Sequence, residues 1–81
     1  MSKKEKLLAK AKKSPQNISF LELETLARSY GLPLKPPKGG GSHYLMKLPD
    51  GTKPTIVKEG NKVKRWYVRE VVEAIEIFGC Y

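Results

Sequence analysis

Apolar residues fall at helical spacing near both ends of this chain, and the sequence between them alternates and is rich in turn formers. The first stretch, Lys3 to Lys13, is rich in Lys and Ala, a composition that favours helix. Its apolar stripe is only Leu7, Leu8 and Ala11, which predicts a helix that docks lightly or frays. Ser14-Pro15 ends it, because the residue before a proline is pushed out of the α region. Ser19 then has the chemistry of an N-cap, and Glu22 three residues on completes a capping box. Phe20, Leu23, Leu26, Ala27 and Tyr30 follow on one helical face. Gly31 supplies the left-handed C-terminal position.

Leu32 to Lys35 reads as a short strand, followed by the breaker run Pro36-Pro37-Lys38-Gly39-Gly40-Gly41. Ser42 to Leu48 has the aromatic and apolar content of a strand. Pro49-Asp50-Gly51-Thr52 is a turn, with Asp-Gly favouring a tight hairpin. Lys53 to Lys58 returns as a second long strand, with Pro54 near its start, where a missing N–H is tolerable. Glu59-Gly60-Asn61-Lys62 is a further turn. From Lys64 to Phe78, the residues Val68, Val71, Val72, Ile75 and Phe78 recur at helical spacing, and Gly79 stops the helix. The predicted architecture is α+β: a basic N-terminal helical extension over residues 1–16, then α-β-β-β-α over residues 17–81. A three-stranded antiparallel sheet with both main helices on one face buries these stripes together. The opposite face is left open to solvent or a ligand.

Composition narrows the class. The chain has 81 residues, one domain by size, and a chain this short buries only roughly 60–65% of its extended-chain surface. Its 40% hydrophobic and 30% charged residues suit a soluble globular protein. No apolar run approaches the ~18 residues needed to span a bilayer. Lys10 interrupts Leu7-Leu8-Ala9 before a secretory apolar segment can form, so a cytoplasmic protein with no membrane partner is expected. Cys80, the one cysteine, cannot close an internal disulfide and has no Cys or His at ligand spacing. A zinc site needs about four N or S ligands, so neither a metal nor a cofactor is expected. The formal charge is +8, from 16 Lys and Arg against 8 Asp and Glu. That balance points to nucleic acid, an anionic surface or an acidic protein. Six of the lysines lie in residues 1–13 against Glu5 alone, so much of the excess also reads as a solvated basic arm.

Three groups carry candidate chemistry. His43 is the only histidine, and an imidazole is the side chain that ordinarily exchanges protons near neutrality. If Tyr44, Met46 and Leu48 face the helices, then His43, Leu45 and Lys47 share the open face. An imidazole beside a lysine suits cleavage of an RNA phosphodiester by its own 2′-OH. It would take the proton of that hydroxyl or protonate the leaving 5′ oxygen, while cations stabilise the phosphorane-like transition state. A surface histidine without a role fits the same pattern. The second group is Lys38-Gly39-Gly40-Gly41-Ser42, where glycines let backbone N–H groups approach a phosphate and Lys38 adds charge. The Gly-Lys-Ser/Thr ending and following helix of a P-loop are absent, and a flexible connector explains the run equally well. The third group is Lys58, Lys62, Lys64, Arg65 and Arg69, around the last turn and the start of the final helix, where free N–H groups also favour an anion. Trp66 and Tyr67 interleave with these cations, either to stack on bases or to fill the core.

Taken together, the chain resembles the HicA family of toxin mRNA interferases. The resemblance rests on Phe20-x-Glu22-Leu23-x-x-Leu26-Ala27-x-x-Tyr30-Gly31-Leu32, on Lys38-Gly39-Gly40-Gly41-Ser42-His43-Tyr44, on Pro49-Asp50-Gly51, and on Val63-Lys64-Arg65-Trp66-Tyr67-Val68-Arg69-x-Val71-Val72-x-x-Ile75-Glu76. It covers roughly residues 17–78, and Gly41-Ser42-His43 is its most specific part. The resemblance implies a fold like a double-stranded-RNA-binding domain and a ribosome-independent, metal-free endoribonuclease acting on mRNA, with His43 catalytic. Lys38, Gly41, Ser42, Lys47, Lys58, Lys64, Arg65 and Arg69 would then hold the RNA. It also implies a HicB-type antitoxin as partner, covering the active face, and the free protein is expected to be a monomer. Many members carry a Pro and a second His near the end of the third strand, where this chain has Ile56-Val57-Lys58-Glu59-Gly60-Asn61. Lys58 can supply charge there but not a neutral-pH base. A noncatalytic RNA-binding module on the same fold is the alternative reading, and an adaptor for an acidic protein is a third.

Overall fold

Two capping boxes start the N-terminal half of the molecule. In the computed structural model, which describes residues 2–79 and so excludes Cys80, helix α1 spans Lys3–Lys13. The Ser2 hydroxyl accepts from the Glu5 N–H, and the Glu5 carboxylate accepts from the Ser2 N–H, both at 3.3 Å. The chain then makes a single 3₁₀ turn, Pro15–Asn17, and enters helix α2, Phe20–Ser29. There the expected box is present: the Ser19 hydroxyl accepts from the Glu22 N–H at 3.1 Å, and Glu22 accepts from the Ser19 N–H at 3.0 Å. Helix α2 is followed by Gly31 at φ +81°, the left-handed position glycine adopts at least cost.

Four strands follow as a meander: β1 Leu34–Lys35, β2 His43–Met46, β3 Thr55–Glu59 and β4 Lys62–Val63, antiparallel in the order β1-β2-β3-β4. The sheet therefore has one more strand than the sequence pattern predicted. Gly60, at φ +63°, turns the chain so that Lys62 and Val63 pair back onto Glu59 and Lys58. Two residues are too few to show a period of their own, which is why this strand reads as a turn. The β2–β3 loop is also wider than a two-residue Asp-Gly hairpin. The Gly51 N–H donates to the Leu48 carbonyl, and the Leu48 N–H donates to the Thr52 carbonyl. With Gly51 at φ +91°, this is a three-residue loop closed by a type I turn and a bulge. Asp50 secures it by accepting from the Thr52 N–H at 2.9 Å and the Thr52 hydroxyl at 2.7 Å, and these bonds hold its carboxyl below the usual carboxylate range.

Helix α3, Arg65–Phe78, closes the fold. Val68, Val71, Val72, Ala74 and Ile75 turn inward to meet Met46 and Ile56 of the sheet and Phe20, Leu23, Leu26 and Ala27 of α2 in one core cluster. Gly79 ends the helix, though not in the left-handed conformation: its N–H bonds the Ile75 carbonyl, and a Cβ placed there would run into that same carbonyl. All three helices lie on one side of the sheet. Of the two expectations for α1, light docking or fraying, the structure shows docking, against both α3 and α2. Leu8 and Ala11 are buried in the common core. Lys10 bonds Glu22 of α2 at 2.8 Å, Lys12 approaches Glu76 of α3 at 3.9 Å, and the Lys4 ammonium stands 4.8 Å from the centre of the Tyr30 ring. No helix among the described residues is long and apolar enough to cross a membrane.

Glu22 thus serves α1 and α2 together. The Lys10 ammonium, then the Ser19 N–H, hold its carboxyl below the ordinary range. A carboxyl depressed in the folded state stabilises the fold above its unfolded pKa, and that contribution is lost as pH falls through the folded value. Glu22→Gln, which keeps a capping acceptor, is expected to cost about 0.5 kcal/mol because the ion pair is solvent-screened. Glu22→Ala is expected to cost about 1–1.5 kcal/mol. Urea unfolding at pH 7 measures both losses, and the gap between wild type and Glu22→Gln should close below about pH 4.

Candidate functional site

Period-two alternation along β2 decides where His43 points. Met46 is fully buried and Tyr44 is half-buried against Phe20, with ring centroids 4.7 Å apart. His43 and Leu45 therefore lie on the opposite face, which no helix covers, and both are exposed. The register sets His43 across from Val57, and Leu45 across from Thr55 on one side and Lys35 on the other. The face around the imidazole is thus a mixture of Leu45 and Val57 with polar and basic neighbours. Among the described residues, no hydrogen bond or ion pair holds the His43 side chain. Among those residues, therefore, no partner fixes its tautomer.

The glycine run delivers the chain to this position. Gly39, Gly40 and Gly41 all have positive φ, at +78°, +86° and +117°. A Cβ at Gly39 or Gly40 would meet nothing within 4 Å, so backbone conformation, not crowding, demands glycine there. The Ser42 carbonyl accepts from the Lys58 N–H at 2.8 Å, extending the β2–β3 ladder one step and tying the loop's end to the sheet. Lys38, Gly41 and Ser42 are exposed on this approach, and Lys47 is exposed just past β2, on the His43 side if the strand's alternation continues.

The remaining cations divide between surfaces. Lys58 follows the parity of buried Ile56 and is turned toward the helices. Its ammonium lies 5.1 Å from the Phe20 ring centre and 6.0 Å from that of Tyr44, so it cannot stand in beside His43 for a missing second histidine. Lys64 caps the start of α3 in an extended conformation, 3.6 Å from the Glu59 carboxylate and 5.0 Å from the Trp66 ring centre. Arg65 is exposed on the first turn of α3. Arg69 lines a concavity of about 340 Å³ with Ala11, Lys12 and Glu73, between α1 and α3. It belongs to the helical layer, away from the His43 face. Ser42 and His43 therefore adjoin at the start of β2, with Lys38 and Lys47 exposed before and after the strand, while Lys64 stands at the β4 edge and Lys58 and Arg69 lie elsewhere. Trp66 does not fill the core: it is 52% exposed.

Asn61 is a positioning residue that the sequence reading left as a turn. Its carbonyl accepts from the Phe20 N–H at 2.9 Å, and its side-chain oxygen accepts from the Leu21 N–H at 3.3 Å. Both donors are first-turn groups of α2 that have no partner within the helix. Only the pairing of the β3–β4 turn with a helix distant in sequence reveals this role. The chain matches no protein-family model, no curated protein and no solved structure.

The division of cations has a measurable consequence for polyanion binding. Lys38→Ala and Lys47→Ala are each expected to lower the slope of log affinity against log salt for a single-stranded oligonucleotide by about 0.7. Lys58→Ala is expected to leave that slope unchanged and instead to lower the melting temperature, because it removes a contact over two aromatic rings. Salt titrations followed by fluorescence anisotropy, with thermal melts alongside, separate the two behaviours.

Proposed function

We propose that this protein is a HicA-type toxin on a fold of the double-stranded-RNA-binding kind: a metal-independent endoribonuclease that cuts mRNA and is neutralised by a HicB-type antitoxin laid over its open sheet face. The observation that carries the reading is the placement of the single imidazole. His43 stands exposed on the helix-free face of the sheet, at the end of a glycine loop that also presents Lys38 and Ser42. The sequence resemblance supplies the family, and the charge of +8 supplies the preference for a polyanion.

In this reading the imidazole removes the proton from a ribose 2′-OH. The O2′–P bond forms as the P–O5′ bond breaks, leaving a 2′,3′-cyclic phosphate and a 5′-hydroxyl. The leaving oxygen takes its proton from the imidazolium or from water. Lys38, Lys47 and the Ser42 hydroxyl orient the phosphate and offset the charge that builds on its oxygens. Acid–base work of this kind contributes about 10²–10⁴-fold. A noncatalytic RNA-binding module is the second reading, favoured by one observation: among the described residues no side chain orients His43, and Lys58, the nearest substitute in sequence for a second histidine, faces the helices.

Induction of the wild type in a bacterial host is expected to arrest growth and deplete intact mRNA, and His43→Ala at equal soluble expression is expected to do neither. The variant should fold normally, since His43 makes no buried contact. Purified wild type should cleave RNA in the presence of EDTA at a rate about 10²-fold or more above His43→Ala. Equal behaviour of the two proteins, with salt-dependent binding retained, would establish the binding module instead.

A further inference from the structure

The surface around the start of α3 has a feature that acid–base chemistry at His43 does not use. Trp66 is the only tryptophan in the chain, and it stands 52% exposed on the second residue of the helix. Tyr67 beside it, with ring centroids 6.0 Å apart and planes tilted by 51°, is half-buried against the core and holds one flank of the indole. The Lys64 ammonium lies 5.0 Å from the Trp66 ring centre. Lys62 and Arg65 are exposed close by along the chain. A large aromatic ring held at the surface among cations is the arrangement that binds single-stranded nucleic acid: bases stack on the ring and the cations take the phosphates.

Position ties this ring to the His43 face. Lys62 pairs with Glu59 and Val63 with Lys58, and Lys64 remains extended at φ −68°, ψ 145°. Continuing that register by one residue sets Lys64 across from Val57, which itself pairs with His43. The contact between Lys64 and Glu59 agrees, because Glu59 shares the parity of Val57. Two strand spacings, about 10 Å, then separate the backbone at His43 from that at Lys64, and Trp66 follows directly on α3.

We propose that Trp66 is a base-stacking site for single-stranded RNA, with Lys64 leaving the indole face to contact the adjoining phosphate when a base takes its place. The site would hold a nucleotide near the phosphodiester that is cleaved beside His43. This assignment rests on the RNA reading of the protein but not on its catalysis. An acidic protein is the competing occupant, since tryptophan among cations also anchors protein interfaces. The observations favour RNA because a flat, cation-lined ring suits bases of any sequence.

Because Trp66 is the sole tryptophan, its fluorescence reports on the site alone. The full-length protein is titrated with a 2′-O-methyl oligouridylate, which lacks the nucleophile and cannot be cut. Saturable quenching of the indole is expected, together with little quenching by an abasic strand of equal length and charge. In anisotropy measurements with labelled strands, Trp66→Ala should weaken the oligouridylate about 5- to 150-fold and leave the abasic strand unaffected, while Trp66→Phe should recover most of the loss. Unchanged emission at saturation, or equal affinity of wild type and Trp66→Ala, would overturn the proposal. Protection of the indole by polyglutamate as strong as that by the oligonucleotide would overturn it too, in favour of a protein-facing surface. His43→Ala should quench as the wild type does, so failure of the cleavage reading and failure of the stacking site remain distinguishable.

Discussion

The start of α2 is the junction on which the rest of the fold depends. Its first-turn N–H groups need acceptors, and three separate parts of the chain provide them. Ser19 caps from the preceding residue, Asn61 reaches in from the β3–β4 turn with both its carbonyl and its side chain, and Glu22 closes the box while gripping Lys10 of α1. Ser19 also forms a β-bridge with Lys62. One helix terminus thereby fixes the extension, the first main helix and the far edge of the sheet relative to one another. Phe20 then carries that order into the sheet by packing on Tyr44 beneath the Lys58 ammonium.

Register is the second constraint, and it converts packing into function. Met46 and Ile56 are both fully buried, and a one-residue slip of either strand would bring polar neighbours into the core. On β2 that slip would carry His43 under the helices. The imidazole is therefore held outward by the apolar residues on the other face, not by any bond of its own. This is an economical way to display a reactive group, but it leaves the ring's orientation to whatever binds it.

Much of this was legible along the chain because its strongest signals are local. The box Ser19-x-x-Glu22, the stripe from Val68 to Ile75 and the alternation about Tyr44 and Met46 each lie within a few turns or one strand, and each corresponds to an element of the structure. Whether α1 docks or frays was not decided by the sequence, because its stripe of Leu7, Leu8 and Ala11 is thin. It is held by the burial of Leu8 and Ala11 and by Lys10, Lys12 and Lys4, whose partners are distant in sequence. The box Ser2-x-x-Glu5 was available as a signal and marks α1 as a well-formed helix. At the site, Lys58 was grouped with phosphate-binding cations by its charge, although the parity that points Ile56 inward points Lys58 the same way. The exposure of Trp66 was available too: two residues before Val68, it falls on the helix face opposite the stripe of Val68, Val71, Val72 and Ile75.

Charge that looks like a single basic excess is thus divided by the fold into two uses. Lysines of α1 and β3 are spent partly on structure, over aromatic rings or beside carboxylates, Lys64 sits at the surface between Glu59 and Trp66, and Lys38, Lys47, Lys62 and Arg65 are exposed. An imidazole without an orienting partner gains acid–base efficiency only if the substrate itself is fixed, because the advantage of a positioned proton carrier is largely one of entropy already spent. On this molecule the groups able to fix a strand lie to either side of His43: the glycine loop with Lys38 at one end of β2, and the β4 edge with Lys64 at two strand spacings across the sheet. In the proposed reaction, chemistry at His43 would therefore depend on binding at its flanks. It is the spacing of those flanks, set by the sheet register, that would choose which phosphate the imidazole meets.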